Sequence, residues 1–565
     1  MRNSAILLLA VSLLALGCPR TGTGPAPAEE VERRPGRSSG LGERSLVGAN
    51  PPPVVGPVVE DGGTLVRRLN AEPDTLNPLT GRDAYGSLVL GLVTDSLVSR
   101  HPDTLEWEAR LAESWEASDD HLSYTFHLRR DVTWHDGEPF TSADVLYSFE
   151  KVMDPTVDAP HLRSYYQDLD SITAPDDYTV VFTWKKPYFL SFNFSAGFPI
   201  LPRHIFDDGT DFNTHSASRA PVGNGMYRFV SWRTNEEIVL QRNEDYYGRK
   251  PNMERMVIRF IPDNNSALMQ AASGMVDYMG VQPEQWVHQL PANVYSRNFN
   301  RYYYYAPNYN YIGWNLRRPF FADRKVRLAM THLVNREAIL EEILYGLGKI
   351  VTGTFYIHGD DYSHDIEPWP YDPAEARRLL DESGWVDSTG DGIRDKMVDG
   401  ERVSFRFDFM YPAGNTTAEK IAIFLQSELR RLGIEMNIQN REWAIFTERL
   451  NEGDFDAVTL GWSLGIEQDP YQLWHSSQVD RGSNFIAFRN EEIDQIIEAA
   501  RVEFDREKRS ALYDRFNHIV HEEQPYTFLF CRPSLEIVHQ RFHNVIVHTL
   551  GLDHRDWYVP SALRE

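Results

Sequence analysis

The chain has 565 residues, of which 42% are hydrophobic and 25% are charged, as is usual for a globular protein with several domain-sized units and a large core. Lys and Arg number 57 and Asp and Glu number 82, so the net charge is −25 at pH 7. A chain this acidic lacks the positive field that gathers nucleic acid or anionic lipid headgroups. We therefore expect no nucleic-acid partner.

The first residues have the pattern of an export signal. Arg2 precedes an apolar run over residues 5–16 that is too short to span a bilayer comfortably, and Gly17 and Cys18 follow it. This pattern resembles a bacterial lipoprotein signal, which predicts a signal peptide over residues 1–18 and lipidation of Cys18. An ordinary secretory signal cleaved nearby is the alternative, and both predict an exported protein.

A shift in composition follows the signal. Residues 19–62 are rich in Pro, Gly, Ser and Thr, which predicts a disordered, partly extended tether before a body that begins at Gly63. The only other cysteine is Cys531, and a lipidated Cys18 leaves it no partner for a disulfide. Because Cys531 lies in an apolar run, we predict a small buried side chain rather than a reactive thiol.

In the first half of the body, apolar periodicity and turn residues predict alternating short strands and helices. A helix begins after Thr141, with Asp144 as its partner in a capping box. The His-Asp-Gly sequence at 135–137 suggests a metal or catalytic pair, but a reverse turn between strand and helix explains it more simply. The other predicted elements are strands over 64–70, 124–128, 227–232 and 238–242, and helices over 84–98 and 264–275.

An aromatic run over residues 301–316 contains six Tyr and one Trp. Its alternation predicts strand structure, either as a strand pair that crosses between domains or as an aromatic lining for a cleft, and both interpretations stay open. After this run, apolar residues at helical spacing predict one long helix over 324–347.

Residues 387–395 match part of a calcium-binding loop, with oxygen-bearing side chains at the first, third, fifth and ninth positions and Gly at the sixth. The twelfth position, where a bidentate Glu is expected, is Val398. A polar turn is therefore the favoured interpretation, with a bound cation as the alternative. The elements predicted after it are strands over 404–410, 435–440 and 526–530, and helices over 418–432, 491–501 and 506–523.

Residues 455–477 carry the composition of a ligand-binding surface. Residues 455–460 predict a buried strand, after which two glycines bracket Trp462 and its neighbours in a tight loop. Asp469 precedes a proline that stops any helix, and aromatic side chains follow, as is typical of a ligand site. The candidate ligand contacts are Trp462, Ser463, Leu464, Gly465, Asp469, Tyr85, Tyr411 and Asn415.

The same loop spells G-x-S-x-G, the nucleophile elbow of serine hydrolases. An elbow needs a helix that starts directly after the serine, whereas residues 466–470 continue as loop. His475 and His518 lie downstream in the required order, but nothing local holds them near Ser463. A secreted serine hydrolase that uses Ser463 is therefore the weaker hypothesis.

Six stretches together resemble family 5 extracellular solute-binding proteins, the oligopeptide- and dipeptide-binding components of bacterial ABC importers. They are GGTLVRRLNAEPDTLNPL at 62–79, LRRDVTWHDGEPFTSADVLYSFE at 128–150, PVGNGMYRF at 221–229, LQRNEDYYG at 240–248, WNLRRPFFADRKVRLAMTHLVNREAI at 314–339 and GWSLGIEQDPYQLWHSS at 461–477. The resemblance implies an α/β, periplasmic-binding-protein-like fold with two lobes and a ligand cleft between them. It implies three domains: domain I over 63–102, 221–311 and 529–565, domain II over 103–220 and domain III over 312–528.

The resemblance also implies a function. It implies a monomeric substrate-binding protein, without a cofactor and not an enzyme, that captures peptides between its lobes and delivers them to an ABC permease in the inner membrane. Its lipid anchor would hold it in the cell envelope, at the periplasmic face of a bacterial membrane. Members of the family also bind oligosaccharides, metal chelates and haem, so a solute of another class is the alternative ligand.

The resemblance bears on one residue of the candidate site. In peptide binders of this family, an aspartate shortly after the Gly-Trp pair meets the α-amino group of the ligand. Gly465 occupies that position here, which leaves Glu467 and Asp469 as the nearest acids. The anchor for a peptide amino terminus is therefore in doubt at this position.

Overall fold

The structure is a computed structural model that describes residues 41–56, 58–480 and 482–564. The predicted signal peptide, Cys18 and the first part of the predicted tether lie outside the described residues. Within the described ranges, none of the helices is both long and apolar enough to cross a membrane.

A seven-stranded sheet forms the base of the first lobe. In spatial order its strands are Phe299–Tyr304, Ser534–His539, Tyr278–Gly280, Thr64–Leu69, Arg255–Phe260, Glu237–Arg242 and Tyr227–Arg233. The central strand Thr64–Leu69 is parallel to both of its neighbours, whereas the outer pairs are antiparallel. Helices Ala84–Val93 and Asn264–Ala272 pack their apolar residues against this sheet, so its core lies between sheet and helices.

A four-stranded antiparallel sheet completes the first lobe. Its strands, in spatial order, are Ala112–Ala117, Ser123–Leu128, Thr179–Trp184 and Leu169–Asp176. Helix Ser142–Met153 begins with the predicted capping box, since both the Thr141 and the Asp144 side chains meet the backbone of the first turn. His135 joins this part to the seven-stranded part, because its ring nitrogens lie 3.3 Å from the Gly223 amide and 3.0 Å from the Gly225 carbonyl oxygen.

The second lobe is built on a six-stranded sheet. Its strands, in spatial order, are Lys349–Ile350, Tyr526–Cys531, Asn308–Trp314, Ala457–Ser463, Arg406–Pro412 and Glu435–Arg441. One apolar cluster on each face fills the space beneath the helices. These helices are Arg324–His332, Pro373–Glu382, Thr416–Arg430, Trp443–Glu452, Glu491–Arg501 and Arg506–Glu523.

The remaining elements are short. Three strand pairs are Val98–Arg100 with Trp107–Ala109, Asp395–Val398 with Glu401–Ser404, and Val547–His548 with Gly551–Leu552. The short helices are Leu41–Leu46, Pro160–Tyr165, Ser191–Ala196, Arg203–Phe206, Phe212–Thr214, Ser216–Ser218, Gln285–Gln289, Asn293–Ser296, Arg336–Ala338, Ile339–Ile343, Tyr471–Trp474, Ser476–Gln478 and Ser561–Leu563.

Two chain crossings join the lobes. The first runs from Tyr304 at the end of the seven-stranded sheet to Asn308 at the start of a strand in the six-stranded sheet. The second runs from Cys531 back to Ser534. The aromatic run therefore belongs to a strand pair that passes between the lobes, and the predicted domain limits themselves stay a prediction.

Two sequence-based expectations need correction. Part of the predicted tether contacts the body: helix Leu41–Leu46 places the Ser45 carbonyl 3.0 Å from both the Trp286 indole nitrogen and the Arg301 guanidinium. The predicted helix over 324–347 is broken after His332, because the Asn335 side chain accepts a hydrogen bond from the Ala338 amide and starts a new helix.

Candidate functional site

The candidate site lies at one edge of the six-stranded sheet, which we call the carboxyl edge. The strands that end at Pro412, Arg441 and Ser463 are parallel, so their carboxyl ends meet there. The first crossing reaches the same edge, since Asn308 pairs with Ser463 and the Leu464 amide donates to the Pro307 carbonyl oxygen at 3.0 Å. Open α/β sheets bind ligands outside the carboxyl ends of their strands. The geometry therefore brings the 462–469 loop to the boundary between the lobes.

Trp462 lies in the last part of a strand of the second lobe, directly before the loop. The strand predicted to end at 460 continues to Ser463, because residues 308–314 hold residues 457–463 in antiparallel register. The Trp462 side chain is buried, with its ring nearly parallel to that of Phe485 and the centroids 6.3 Å apart. Ser463 follows it as an exposed residue at the end of the strand.

Gly465 lies in a turn too tight for a side chain. A Cβ atom at this position would lie 2.8 Å from the Glu467 carbonyl oxygen, which is closer than real Cβ contacts. A larger residue at position 465 would thus displace the backbone of Glu467. The loop geometry gives a physical reason for glycine at this position.

The Glu467 carboxylate bridges the two lobes. From the first lobe, the Arg100 guanidinium forms an ion pair with it and the Asn193 amide nitrogen donates to it at 3.1 Å. From the second lobe, the Arg509 guanidinium lies 3.4 Å away. Since only a quarter of the Glu467 side chain is exposed, these partners replace most of its hydration.

The Asp469 carboxylate makes a second bridge. The Tyr188 hydroxyl of the first lobe donates to it at 2.9 Å, and in the second lobe the Arg501 Nε lies 3.0 Å away. Burial raises the pKa of the Asp469 carboxyl, and the charge of Arg501 opposes that shift. Burial and the Asp469 charge raise the pKa of Tyr188 well above its usual value, so the phenol keeps the proton it donates.

We call these groups, Glu467 and Asp469 with Arg100, Tyr188, Asn193 and Arg501, the interlobe clasp. Further contacts surround it. The Phe189 amide donates to the Arg501 carbonyl oxygen at 2.9 Å, and the Arg501 guanidinium lies over the Tyr188 ring. His121 of the first lobe stacks on Phe504 of the second with ring centroids 3.8 Å apart. The lobes are therefore in contact, as expected of a closed arrangement.

Sequence reasoning missed the first-lobe half of the clasp. Arg100, Tyr188 and Asn193 stand in no motif, and each lies more than 270 positions from its carboxylate partner: 367, 281 and 274 residues respectively. A signal was present only on the other side, since Glu467 and Asp469 are two acids in a half-buried loop.

Three other predicted ligand contacts have side chains that pack in a core or cap a helix. Tyr411 is buried in the core of the second lobe, and the Asn415 side chain caps helix Thr416–Arg430 by accepting from the Ala418 amide at 3.0 Å. Tyr85 is half-buried against the core of the first lobe, and burial raises its pKa. Tyr411 and Asn415 do lie near the carboxyl edge, but their role in binding stays a prediction.

The features of a serine hydrolase are not assembled around Ser463. No helix starts directly after it, since the next one begins at Tyr471. The His475 ring lies 2.8 Å from the Ser477 hydroxyl and 3.4 Å from Glu498. The His518 ring is near Asp514 and Asp365 instead. Neither histidine forms a hydrogen bond to Ser463 in the structure.

Residues 387–395 form a polar turn. The Asp387 carboxylate accepts hydrogen bonds from the Gly390 and Gly392 amides at 2.7 and 2.9 Å, and Asp395 accepts from Ser388. Across the ranges that the structure describes, no group of three or more His, Cys, Asp or Glu side chains is placed to hold a metal ion. Cys531 is buried as predicted, and burial raises its pKa to about 12.

The model of the family 5 bacterial extracellular solute-binding proteins (middle region) matches residues 106–484. The chain belongs to this family. The oligopeptide-binding protein AppA of Bacillus subtilis is 32% identical over 480 residues, which are 83% of this chain and 86% of AppA. The structure of AppA with a nonapeptide superposes with a TM-score of 0.76 at 29% identity and covers 89% of this chain and all of that one.

Other members carry different names. Heme-binding protein A of Haemophilus influenzae is 28% identical over 470 residues, which are 77% of this chain and 80% of that protein. These relatives are named for binding rather than for catalysis. The family 5 assignment and the two-lobed α/β fold that the sequence predicted are confirmed.

Proposed function

We propose that this family 5 protein is the substrate-binding component of an ABC transporter, which captures a peptide between its lobes and hands it to a membrane permease. Lipid on Cys18 would hold it at the periplasmic face of a bacterial membrane as a monomer. The observation that carries the proposal is the interlobe clasp, in which two carboxylates of one loop bind first-lobe side chains. Such contacts stabilise the closed state and so favour a ligand enclosed between the lobes.

Binding follows from closure rather than from chemistry at any one residue. When the lobes meet, Glu467 gains Arg100 and Asn193, and Asp469 gains Tyr188. These contacts offset part of the cost of ordering the lobes, while solute at the carboxyl edge loses its contact with bulk water. Opening breaks the same contacts and releases the solute to the permease.

Peptides are the preferred solute class because AppA, an oligopeptide-binding protein by name, is similar over most of both chains. Haem is the second candidate, since Heme-binding protein A is also similar over most of its length. The fold serves both, so the choice between them rests on the site and on experiment.

The test is to purify the full-length protein from its own cells, denature it and identify the released solute by mass spectrometry. We expect a mixture of peptides. Their re-addition should increase the free energy of unfolding of ligand-stripped protein by RT ln(1 + [L]/Kd), and its melting temperature should rise as a result. Release of haem, a sugar or a metal chelate would contradict the peptide assignment and leave the receptor function in place. Release of peptides that the protein then cleaves would instead support the hydrolase hypothesis for Ser463.

A further inference from the structure

Charged groups at the carboxyl edge differ in whether they have partners. The acids of the 462–469 loop are both bound, Glu467 by Arg100 and Arg509, and Asp469 by Arg501 and Tyr188. Gly465, between them and Trp462, has no side chain. The loop therefore offers a ligand no free carboxylate.

Arg532 is the contrasting group. It lies in the second crossing, between Cys531 of the six-stranded sheet and Ser534 of the seven-stranded sheet. Its backbone is fixed to the first crossing, because its amide donates to the Asn308 side-chain oxygen at 3.3 Å and its carbonyl accepts from the Asn308 amide nitrogen at 3.2 Å. Both crossings thus hold this residue at the boundary between the lobes.

Within the described part of the chain, the Arg532 side chain has no charged partner. It is exposed, and among the residues that the structure describes its guanidinium makes no hydrogen bond, ion pair or ring contact. Desolvation nevertheless lowers its pKa, with only the Cys531 thiol opposing the shift. Because its backbone lies between the sheets of the two lobes, this exposed guanidinium is at the boundary between them.

Two charged residues on the adjoining strands do not supply an acid for Arg532. The next acid along the chain, Glu536, accepts hydrogen bonds from the Tyr278 and Tyr304 hydroxyls at 2.8 and 3.3 Å. On the neighbouring strand Lys349 lies opposite Cys531 and adds a second positive charge rather than an acid. An exposed guanidinium with no acid beside it at this boundary can bind an anion from outside the chain.

We propose that Arg532 binds a carboxylate of the solute, so that the protein selects solutes by a free carboxylate group and does not require a free amino group. This inference rests on the proposed function and names the charge that the ligand presents to the crossings. For a peptide, the group is its terminal carboxylate. Arg532 would then be a specificity-determining residue.

The experiment uses ligand-stripped full-length protein and calorimetric titration with tripeptides and nonapeptides of alternating Ala and Gly. Each is supplied in free, N-acetylated, C-amidated and doubly blocked form. We expect C-amidation to weaken binding about tenfold or more, since a charge-assisted hydrogen bond is lost, and N-acetylation to change it by less than about threefold. Equal affinity for all four forms, or a larger loss on N-acetylation, would overturn the inference and leave peptide binding intact.

Variants assign the effect to the residue. Arg532→Gln should bind the free and the C-amidated peptide with equal, weakened affinity, and Arg532→Lys should recover part of the preference. Arg297→Gln, which removes an exposed positive charge elsewhere in the first lobe, should keep the full preference. A preference that persists in Arg532→Gln with an unchanged melting temperature would contradict the role of Arg532, and absence of binding to every peptide would overturn both this inference and the peptide function.

Discussion

The 462–469 loop and the second crossing lie at the same sheet edge but hold their charges differently. In the loop, Glu467 and Asp469 are bound by side chains from both lobes. In the crossing, Arg532 has no acidic partner among the residues that the structure describes. Charges that the protein pairs across the lobes favour closure, and a charge that has no partner in the protein is available to bind a ligand. We therefore propose that closure of the lobes depends on the clasp, whereas selection of the solute depends on Arg532.

The largest effect is expected for Glu467→Gln. The change keeps the size of the side chain but removes the charge that Arg100 and Arg509 share, so two guanidinium groups lose their acid. Because the pair is partly exposed, we expect a loss of about ten- to a hundredfold in solute affinity, at the low end for truncation of an interface ion pair. Calorimetry with the solute released from purified protein measures it. Glu452→Gln, on an exposed residue of the same lobe, is the control, and equal affinities of both variants would show that the Glu467 bridge contributes nothing to binding.

A smaller effect is expected for Gly465→Ala. The added methyl meets the Glu467 carbonyl oxygen, so the loop must shift and Glu467 moves relative to Arg100. Overpacking of this kind costs about 1–3 kcal/mol, and we expect solute affinity to fall about tenfold. The matched control is Gly91→Ala, where the Cβ would meet nothing within 4 Å. An unchanged affinity in Gly465→Ala would mean that the loop tolerates a side chain and that its geometry does not set the clasp.

Tyr188→Phe isolates the second bridge. It removes one hydroxyl from Asp469 and leaves the Arg501 ion pair in place. A hydrogen bond to a charged group contributes about 1.5–3 kcal/mol, of which the remaining partner recovers part, so we expect a loss in affinity of about three- to tenfold. Tyr165→Phe, on an exposed tyrosine of the same lobe, should change nothing. A loss as large as that of Glu467→Gln would show that the Asp469 bridge contributes as much as the Glu467 bridge.

The smallest effect on solute affinity is expected for His135, whose contribution is to stability away from both regions. Burial lowers the pKa of His135 to about 4, and the hydrogen bond to the Gly225 carbonyl oxygen opposes only part of that shift. As the pH falls, the unfolded chain therefore takes up the proton first. This contribution to stability is complete above a pH of about 6.5 and is lost as the pH falls toward 4. Between these pH values, the free energy of unfolding of His135→Gln, measured in urea melts, should therefore fall by roughly 1–3 kcal/mol less than that of the wild type. The exposed His288→Gln should follow the wild type, and an identical slope for both variants would contradict the assignment.

Local signals in the sequence predicted much of the second lobe. Helices Glu491–Arg501 and Arg506–Glu523 have the predicted limits because Asn490 and Asp505 cap strongly periodic apolar patterns. The strand to Ser463 was predicted too short, since Gly461 suggests a turn while tertiary pairing with residues 308–314 extends the strand.

The clasp could not be predicted because the residues that form it lie far apart in the sequence. Glu467 lies 367 positions from Arg100, and no periodicity or motif relates such residues. The family resemblance placed the loop at the cleft and marked Gly465, but the tight turn that excludes a side chain there is visible only in the structure.

The most direct test of the account is the distance between the lobes with and without solute. Spin labels at Met153→Cys in the first lobe and Ile423→Cys in the second use two exposed positions, while the native Cys531 is buried. We predict a broad distance distribution in the ligand-stripped protein that narrows and shortens when the released solute is added back, and a persistently broad distribution in Glu467→Gln. A distribution that is the same with and without solute would contradict the claim that this protein binds by closing its lobes through the interlobe clasp.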